Sequence, residues 1–295
     1  MSVLLICSIN CRKNSDLDRS TVPCPRIISF APSITETVYA LDLQQHLVGV
    51  TDYCIWPPEA SLLPKVGGYI NPNFEQILRL KPDVAILLKE HEVLISFLKK
   101  DGIKVVAIDN ENLQGIYNSV LMISEACNVS LRGDSLVRHI QQGLRRRNCV
   151  SDVKPSILFC IGRDRPGSGS IGTVFLAGPK SFYDEIIHYA GGRNAYTDSL
   201  IAYPSVAAEG ILRLAPDIII DVMAANKGME PEKVRSDWDA LTMLPAVKLG
   251  AVYALDGSYV SIPGPRVTEI CNDIRNCIQD WQLRTARGSA CLRFR

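Results

Sequence analysis

From residue 26 onward, short runs of continuously apolar residues alternate with amphipathic stretches of helical period. Residues 26–30 (Arg-Ile-Ile-Ser-Phe) read as a strand, and Pro32 punctuates it. The stretch Ser33-Ile34-Thr35-Glu36 then predicts a helix to Leu41, capped at Ser33 with the acid in its first turn. Residues 47–50 form another short apolar strand, followed by a loop rich in Pro and Gly over 51–72. A helix over 73–80 is stopped by Pro82, and 84–88 is apolar at every position. Such runs are expected of parallel strands buried on both faces by helices. A helix over 94–100 ends at Gly102, 103–108 gives a further strand, and 113–127 is helical in period. Residues 26–128 thus form one α/β lobe.

Between the lobes, 129–150 is polar and basic, with Leu136, Val137, Ile140 and Leu144 on one stripe. Without Pro and with Gly only at 133 and 143, it reads as a connecting helix rather than a flexible linker. Arg145-Arg146-Arg147 near its end complement the helix dipole. Residues 151–284 repeat the alternation: strand 157–161, a Gly-rich loop, helices 181–190 and 207–214, strands 217–222 and 251–255, and a final helix over 267–281. The basic, turn-rich stretch 285–295 is expected to be disordered. The fold class is therefore α/β, with two Rossmann-like lobes of parallel-rich sheet, one long helix between them and a cleft where they face each other.

An internal repeat supports two related lobes. The segments 75–83 (Glu-Gln-Ile-Leu-Arg-Leu-Lys-Pro-Asp) and 209–217 (Glu-Gly-Ile-Leu-Arg-Leu-Ala-Pro-Asp) agree at seven of nine positions, 134 residues apart. The same offset sets Tyr69 opposite Tyr203. A helix–Pro–Asp–strand junction accounts for the prolines but not for the paired glutamates and tyrosines. Equivalent loops of two such lobes would face each other across one crevice, where α/β sheets bind ligands.

Composition changes this picture little. Lys and Arg total 32 against 31 Asp and Glu, so no global field draws nucleic acid. No apolar run approaches the ~18 residues of a membrane-spanning helix. Residues 1–25 start with Val3-Leu4-Leu5-Ile6, then Cys7 and Cys11, and read as a remnant of a lipoprotein signal or a disordered start. The ten cysteines are scattered without a CxxC, and none pairs with a histidine at ligand spacing, which argues against a zinc site. Cys127, Cys160 and Cys271 sit in apolar patterns as small buried hydrophobes; disulfides among the others stay open. The loop 167–172 (Gly-Ser-Gly-Ser-Ile-Gly) lacks the Gly-Lys-Ser/Thr ending of a P-loop, and the full dinucleotide-binding pattern, a GxGxxG register with its acid about 20 residues on, is not satisfied. No GxSxG or HExxH is present. Arg163 and Arg165 beside this loop are candidates to hold carboxylates or phosphate, or are solvated charges.

Taken in order, 29–36, 48–53, 56–60, 64–68, the two Glu-to-Pro-Asp segments, 190–194 and 263–266 resemble the helical-backbone periplasmic binding proteins of ABC importers for cobalamin, haem and ferric siderophores. The likeness spans about 26–281 and is strongest to the cobalamin branch through Thr51-Asp52-Tyr53 and Trp56-Pro57-Pro58. It implies an extracytoplasmic, periplasmic or lipid-anchored monomer that binds a small ligand and does no chemistry on it, with no cofactor or metal of its own. It also implies a permease dimer with its ATPase as partner, docked through Glu75 and Glu209, and ligand contacts from Tyr53, Trp56, Tyr69, Tyr203 and Tyr259. Tyrosine suits such a role by offering rigid apolar area with a polar tip. The chain departs from the cobalamin pattern in the last loop, where Ser258 and Ile262 replace an Asp and an Arg. Haem or a ferric siderophore therefore remain alternatives, as does, in another class, a metal-cofactor enzyme on a related two-lobe fold with Cys54 as its one candidate ligand.

Overall fold

The structure is a computed structural model that describes residues 25–145, 153–198, 200–223 and 230–292. The expected signal remnant, and most of the arginine run, lie outside the described residues. In the N-terminal lobe, β1 (Ile27–Ser29), β2 (Leu47–Val50), β3 (Val84–Leu88) and β4 (Lys104–Ile108) form one sheet in the order β2-β1-β3-β4, parallel throughout. The helices α1 (Pro32–Ala40), α2 (Phe74–Arg79), α3 (Glu92–Lys100) and α4 (Leu113–Ala126) connect and cover it.

The second lobe centres on β5 (Ser156–Arg163), flanked by parallel β9 (Ile218–Val222) and β10 (Val252–Leu255) on one side. On its other side lie the short antiparallel strands β6 (Val174–Leu176) and β8 (Ser205–Val206), while β7 (Arg193–Asn194) pairs with the start of β5. These edge strands are too short to carry a period, which is why the hydrophobic pattern passes over them. The lobe's helices are α6 (Phe182–Ala190), α7 (Ala208–Leu214), α8 (Pro231–Ser236), α9 (Pro245–Leu249) and α10 (Val267–Leu292).

The connecting helix is α5 (Ser130–Arg145), a single helix. Its two glycines permit two close approaches. A Cβ at Gly133 would collide with Ser124 Oγ of α4, and one at Gly143 would lie 2.8 Å from Thr268 Cγ2 of α10. One end of the spine is thus pressed onto the first lobe and the other onto the second. Arg275 of α10 adds bonds from its guanidinium to the carbonyls of Gly143 and Leu144.

Strand alternation sorts each sheet's side chains into two layers. Ile28, Ala85 and Leu87 pack under α3, and Leu158, Ile219 and Trp238 form a matching outer cluster in the second lobe. The opposite faces share one buried apolar cluster, in which Ile27, Ile86 and Ile108 join Ile157, Phe159 and Ile220 through the helices between the sheets. The lobes are therefore distinct as sheets but continuous as a core.

Two local expectations are corrected. Ser33 does not cap α1: the helix starts at Pro32 after Ala31, whose methyl side chain makes no capping bond, and its first turn holds no acid. Glu36 is buried and reaches Arg266 instead. The final helix also runs past its expected end at 281, since α10 extends to Leu292. Its extension holds no proline, and Arg284 bonds Asp280 one turn earlier, a helix-supporting pair.

Candidate functional site

The carboxyl ends of parallel strands are where the first lobe's loops emerge. Between the ends of β1, β3 and β4 and the facing loops of the second lobe lies a cavity of about 290 Å³. Pro32, Leu88, Glu90 and the run Asp109-Asn110-Glu111 line it from the first lobe, and Tyr203 and Ile262 are among its walls from the second. Sheets of this topology hold ligands at this place, where connections leave β1 toward opposite sides. Tyr203 is 43% exposed. Burial, then the charge of Glu111 across the gap, raises its phenol pKa and keeps the hydroxyl protonated.

A second cavity of about 470 Å³ opens on the first lobe alone and shares Glu90 with the first. Tyr69 lines it, with its ring edge-on to His91 at 4.0 Å between centroids. Both ring nitrogens of His91 are shielded from solvent without a hydrogen-bond partner in the protein, and burial lowers its pKa. Ile70 and Val93 stand exposed at its rim.

The other aromatic candidates occupy the seam between the lobes. Arg266 makes a two-pronged ion pair with Glu36, at 2.9 Å from Nε and 2.5 Å from one terminal nitrogen. Its guanidinium lies 4.9 Å from the ring centre of Trp56 and 5.3 Å from that of Tyr259. Bidentate pairing and cation–π stacking use the planar guanidinium in its two distinct ways. Burial raises the pKa of Glu36 despite the bonds from Arg266. The hydroxyl of Tyr259 donates to Asp273, so this side chain is committed within the protein. Trp56 keeps an exposed face, and Tyr53 is the most exposed of the five at 65%. Of the predicted aromatic set, Tyr69 and Tyr203 line cavities, Trp56 and Tyr259 flank Arg266, and Tyr53 stands on the loop beside Gly68. None of Tyr53, Trp56, Tyr69 and Tyr203 is a core residue.

Glu75 and Glu209 are both exposed, each in the first turn of its helix, α2 and α7. The arginines beside the Gly-rich loop resolve differently. Arg165 is exposed, whereas Arg163 is buried against Asp221 at 2.7 Å and Asp237 at 2.8 Å, so it is not available to a ligand. The loop's own amides at Gly167 and Gly169 donate to the carboxylate of Asp237, so the donors a phosphate would need are already used.

The pattern of the sequence passed over Glu90, Asp109, Asn110 and Glu111. Their signal was positional: each follows directly on an apolar strand that enters the sheet in parallel. No cluster of three or more His, Cys, Asp or Glu side chains able to hold a metal ion occurs among the described residues. Cys54, Cys127, Cys160 and Cys271 are buried.

Residues 27–259 match the family described as periplasmic binding protein. An ABC transporter substrate-binding lipoprotein of Bacillus subtilis is 29% identical over 92% of this chain and 85% of its own length. The vitamin B12-binding protein of Vibrio parahaemolyticus is 25% identical over 87% of this chain and 92% of its own. Among solved structures, the periplasmic vitamin B12-binding protein of Vibrio cholerae superposes with a TM-score of 0.71 at 26% identity, over 88% of this chain and 98% of that one. The periplasmic haem-binding protein of the same organism superposes with 0.74 at 22% identity, over 86% and 98%, which speaks for the fold alone. With two parallel-rich lobes about a cleft and a match over most of its length, the chain belongs to the periplasmic binding protein family, a family of transport components rather than enzymes, as a substrate-binding component of an ABC importer.

Proposed function

We propose that this protein captures cobalamin or a related corrinoid outside the cytoplasm, holds it in the inter-lobe cleft and delivers it to the permease of an ABC importer. The observation that carries this reading is the cavity between the carboxyl ends of the first sheet and the facing loops of the second lobe, with Tyr203 as its aromatic wall. Similarity to vitamin B12-binding proteins over most of the chain supports the choice of ligand. Tyr203, Tyr69, Trp56 and Tyr53 are the side chains proposed to pack on it; Tyr259 holds Arg266 behind them. Glu75 and Glu209, one on each lobe, are proposed to bond arginines of a dimeric permease through charge-assisted contacts. The N-terminal segment, beginning with an apolar run and two cysteines, is proposed to carry the lipid anchor, as the named lipoprotein relative suggests.

A second reading, haem as the ligand, is favoured by one observation. His91, held neutral by burial with both ring nitrogens unpartnered beside Tyr69, has the chemistry of an iron ligand. Isothermal titration of the protein with cyanocobalamin, dicyanocobinamide, haemin and a ferric siderophore separates the two. Sub-micromolar binding of a corrinoid and none of the others is the expected result. Binding of haemin alone, with an absorption change lost in His91→Ala, would replace the first reading by the second.

A further inference from the structure

We infer that the cleft selects its ligand by charge, taking a corrinoid whose periphery carries neutral amide donors and rejecting one whose periphery carries carboxylates. The inference rests on the corrinoid reading and adds to it a rule of selection. Among the described residues that line the inter-lobe cavity, Glu90, Asp109 and Glu111 are carboxylates and none is Lys, Arg or His. Lys89 is on hand but committed, at 2.5 Å to Asp109 and 3.3 Å to Glu111, and it does not line the cavity. One positive charge thus stands against three negative ones. Arg266 and Arg163 of the second lobe are also spent. Arg266 is locked to Glu36 and stacked on two rings, and Arg163 is buried between Asp221 and Asp237.

Asn110 is an independent pointer. Its amide nitrogen donates to Ser33 Oγ at 3.2 Å, while its Oδ1 is shielded from solvent and accepts no bond from the protein. A buried acceptor without a donor is a group that a ligand's N–H completes. Ile262 on the facing wall is apolar and supplies no cation. The first-lobe wall therefore offers acceptors almost throughout. Primary amides on a macrocycle satisfy these acceptors, whereas carboxylates on the same macrocycle meet like charge as water leaves the gap, a juxtaposition that penalises the wrong ligand strongly.

The test is titration of the full chain with two probes on one macrocycle, dicyanocobinamide and the corresponding corrinoid heptacarboxylate, at low and high salt, with haemin as a third. The amide probe is expected to bind at least about tenfold more tightly than the carboxylate at low salt, with the gap narrowing as salt screens the wall. Replacing Glu90→Gln with Glu111→Gln is expected to act in opposite directions, tightening the carboxylate probe and weakening the amide one, a pattern that loss of folding does not produce. Should this variant fold poorly, the salt dependence of the wild-type gap carries the test. Equal affinity of the two corrinoids for the wild type, or a gap indifferent to salt, overturns the selection rule while leaving the corrinoid reading intact. Binding of haemin, a dicarboxylate, where neither corrinoid binds, or silence toward all three, overturns both.

Discussion

Asp237 collects three donors: the guanidinium of Arg163 at the end of β5 and the amides of Gly167 and Gly169 in the Gly-rich loop. Arg163 in turn bonds Asp221, whose carboxylate also accepts from the indole of Trp238. The network ties the Gly-rich loop to the sheet and has no exposed member among these charged groups. Removing one partner strands a buried charge, so Asp237→Ala is expected to cost about 3–5 kcal/mol in urea unfolding. Burial by itself pushes the Asp237 pKa up, but the bonds from Arg163 and the two glycine amides outweigh it and hold the carboxyl below its ordinary value. The folded state then binds fewer protons than the unfolded one at this site. Its stabilisation is present above the ordinary carboxylate pKa and is lost as pH falls through the folded value. Glu36, raised by burial, acts in the opposite sense, its share being lost as pH rises past the ordinary value. The urea midpoint is expected to fall below about pH 4, and to fall less in Asp237→Asn than in the wild type. Nothing in the local pattern of 163–172 distinguished this loop from a phosphate cradle, because its partner carboxylate lies about 70 residues away in sequence.

At the scale of elements, the duplicated segment works in the same way in both lobes. Asp83 accepts from the amide of Arg26 and Asp217 from that of Ser156, each clipping the start of one strand to its neighbour in the sheet. Before each Pro-Asp stands a residue in the left-handed region, Lys81 at φ 46° and Ala215 at φ 42°. A side chain there costs about 1–2 kcal/mol, against roughly 0.5–1 kcal/mol for the extra freedom of glycine in the unfolded chain. Ala215→Gly is therefore expected to raise stability, by up to about 1 kcal/mol, as read by thermal denaturation. The repeat was visible in sequence as seven shared identities, and the Pro-Asp pair as a junction signal. That the aspartates are clips was not visible, since their partners lie 57 and 61 residues away.

For the whole molecule, the spine is one of several ties. The two-pronged Arg266–Glu36 pair crosses from the loop before α10 to α1, and Glu185 of α6 accepts from the amide of Leu113 at the start of α4. Together with the shared core, these bonds oppose hinge opening. Spin labels placed one on each lobe are expected to move by less than about 2 Å on ligand addition, in double electron–electron resonance. A larger shift would mean that the seam gives way. On the proposed function, delivery is then expected to depend on docking rather than closure. The variant Glu75→Arg with Glu209→Arg is expected to retain ligand affinity in titration and to lose uptake in cells carrying the importer. Loss of ligand binding in that variant would assign the two glutamates to the wrong face.

The order of the main parallel strands and the longer helices, the connecting helix and the repeated segment of the two lobes were legible in the sequence alone, because each rests on hydrophobic period, on proline and glycine punctuation, or on identities within a few residues of one another; the short helices α8 and α9 were not. The short antiparallel edge strands, the extension of α10, the partner of Glu36 and the carboxylate-lined wall of the cleft were decided only by the tertiary structure. Each of these depends on groups brought together from distant parts of the chain, and a side chain's partners there are chosen by the packing of sheets and helices, which no local spacing records.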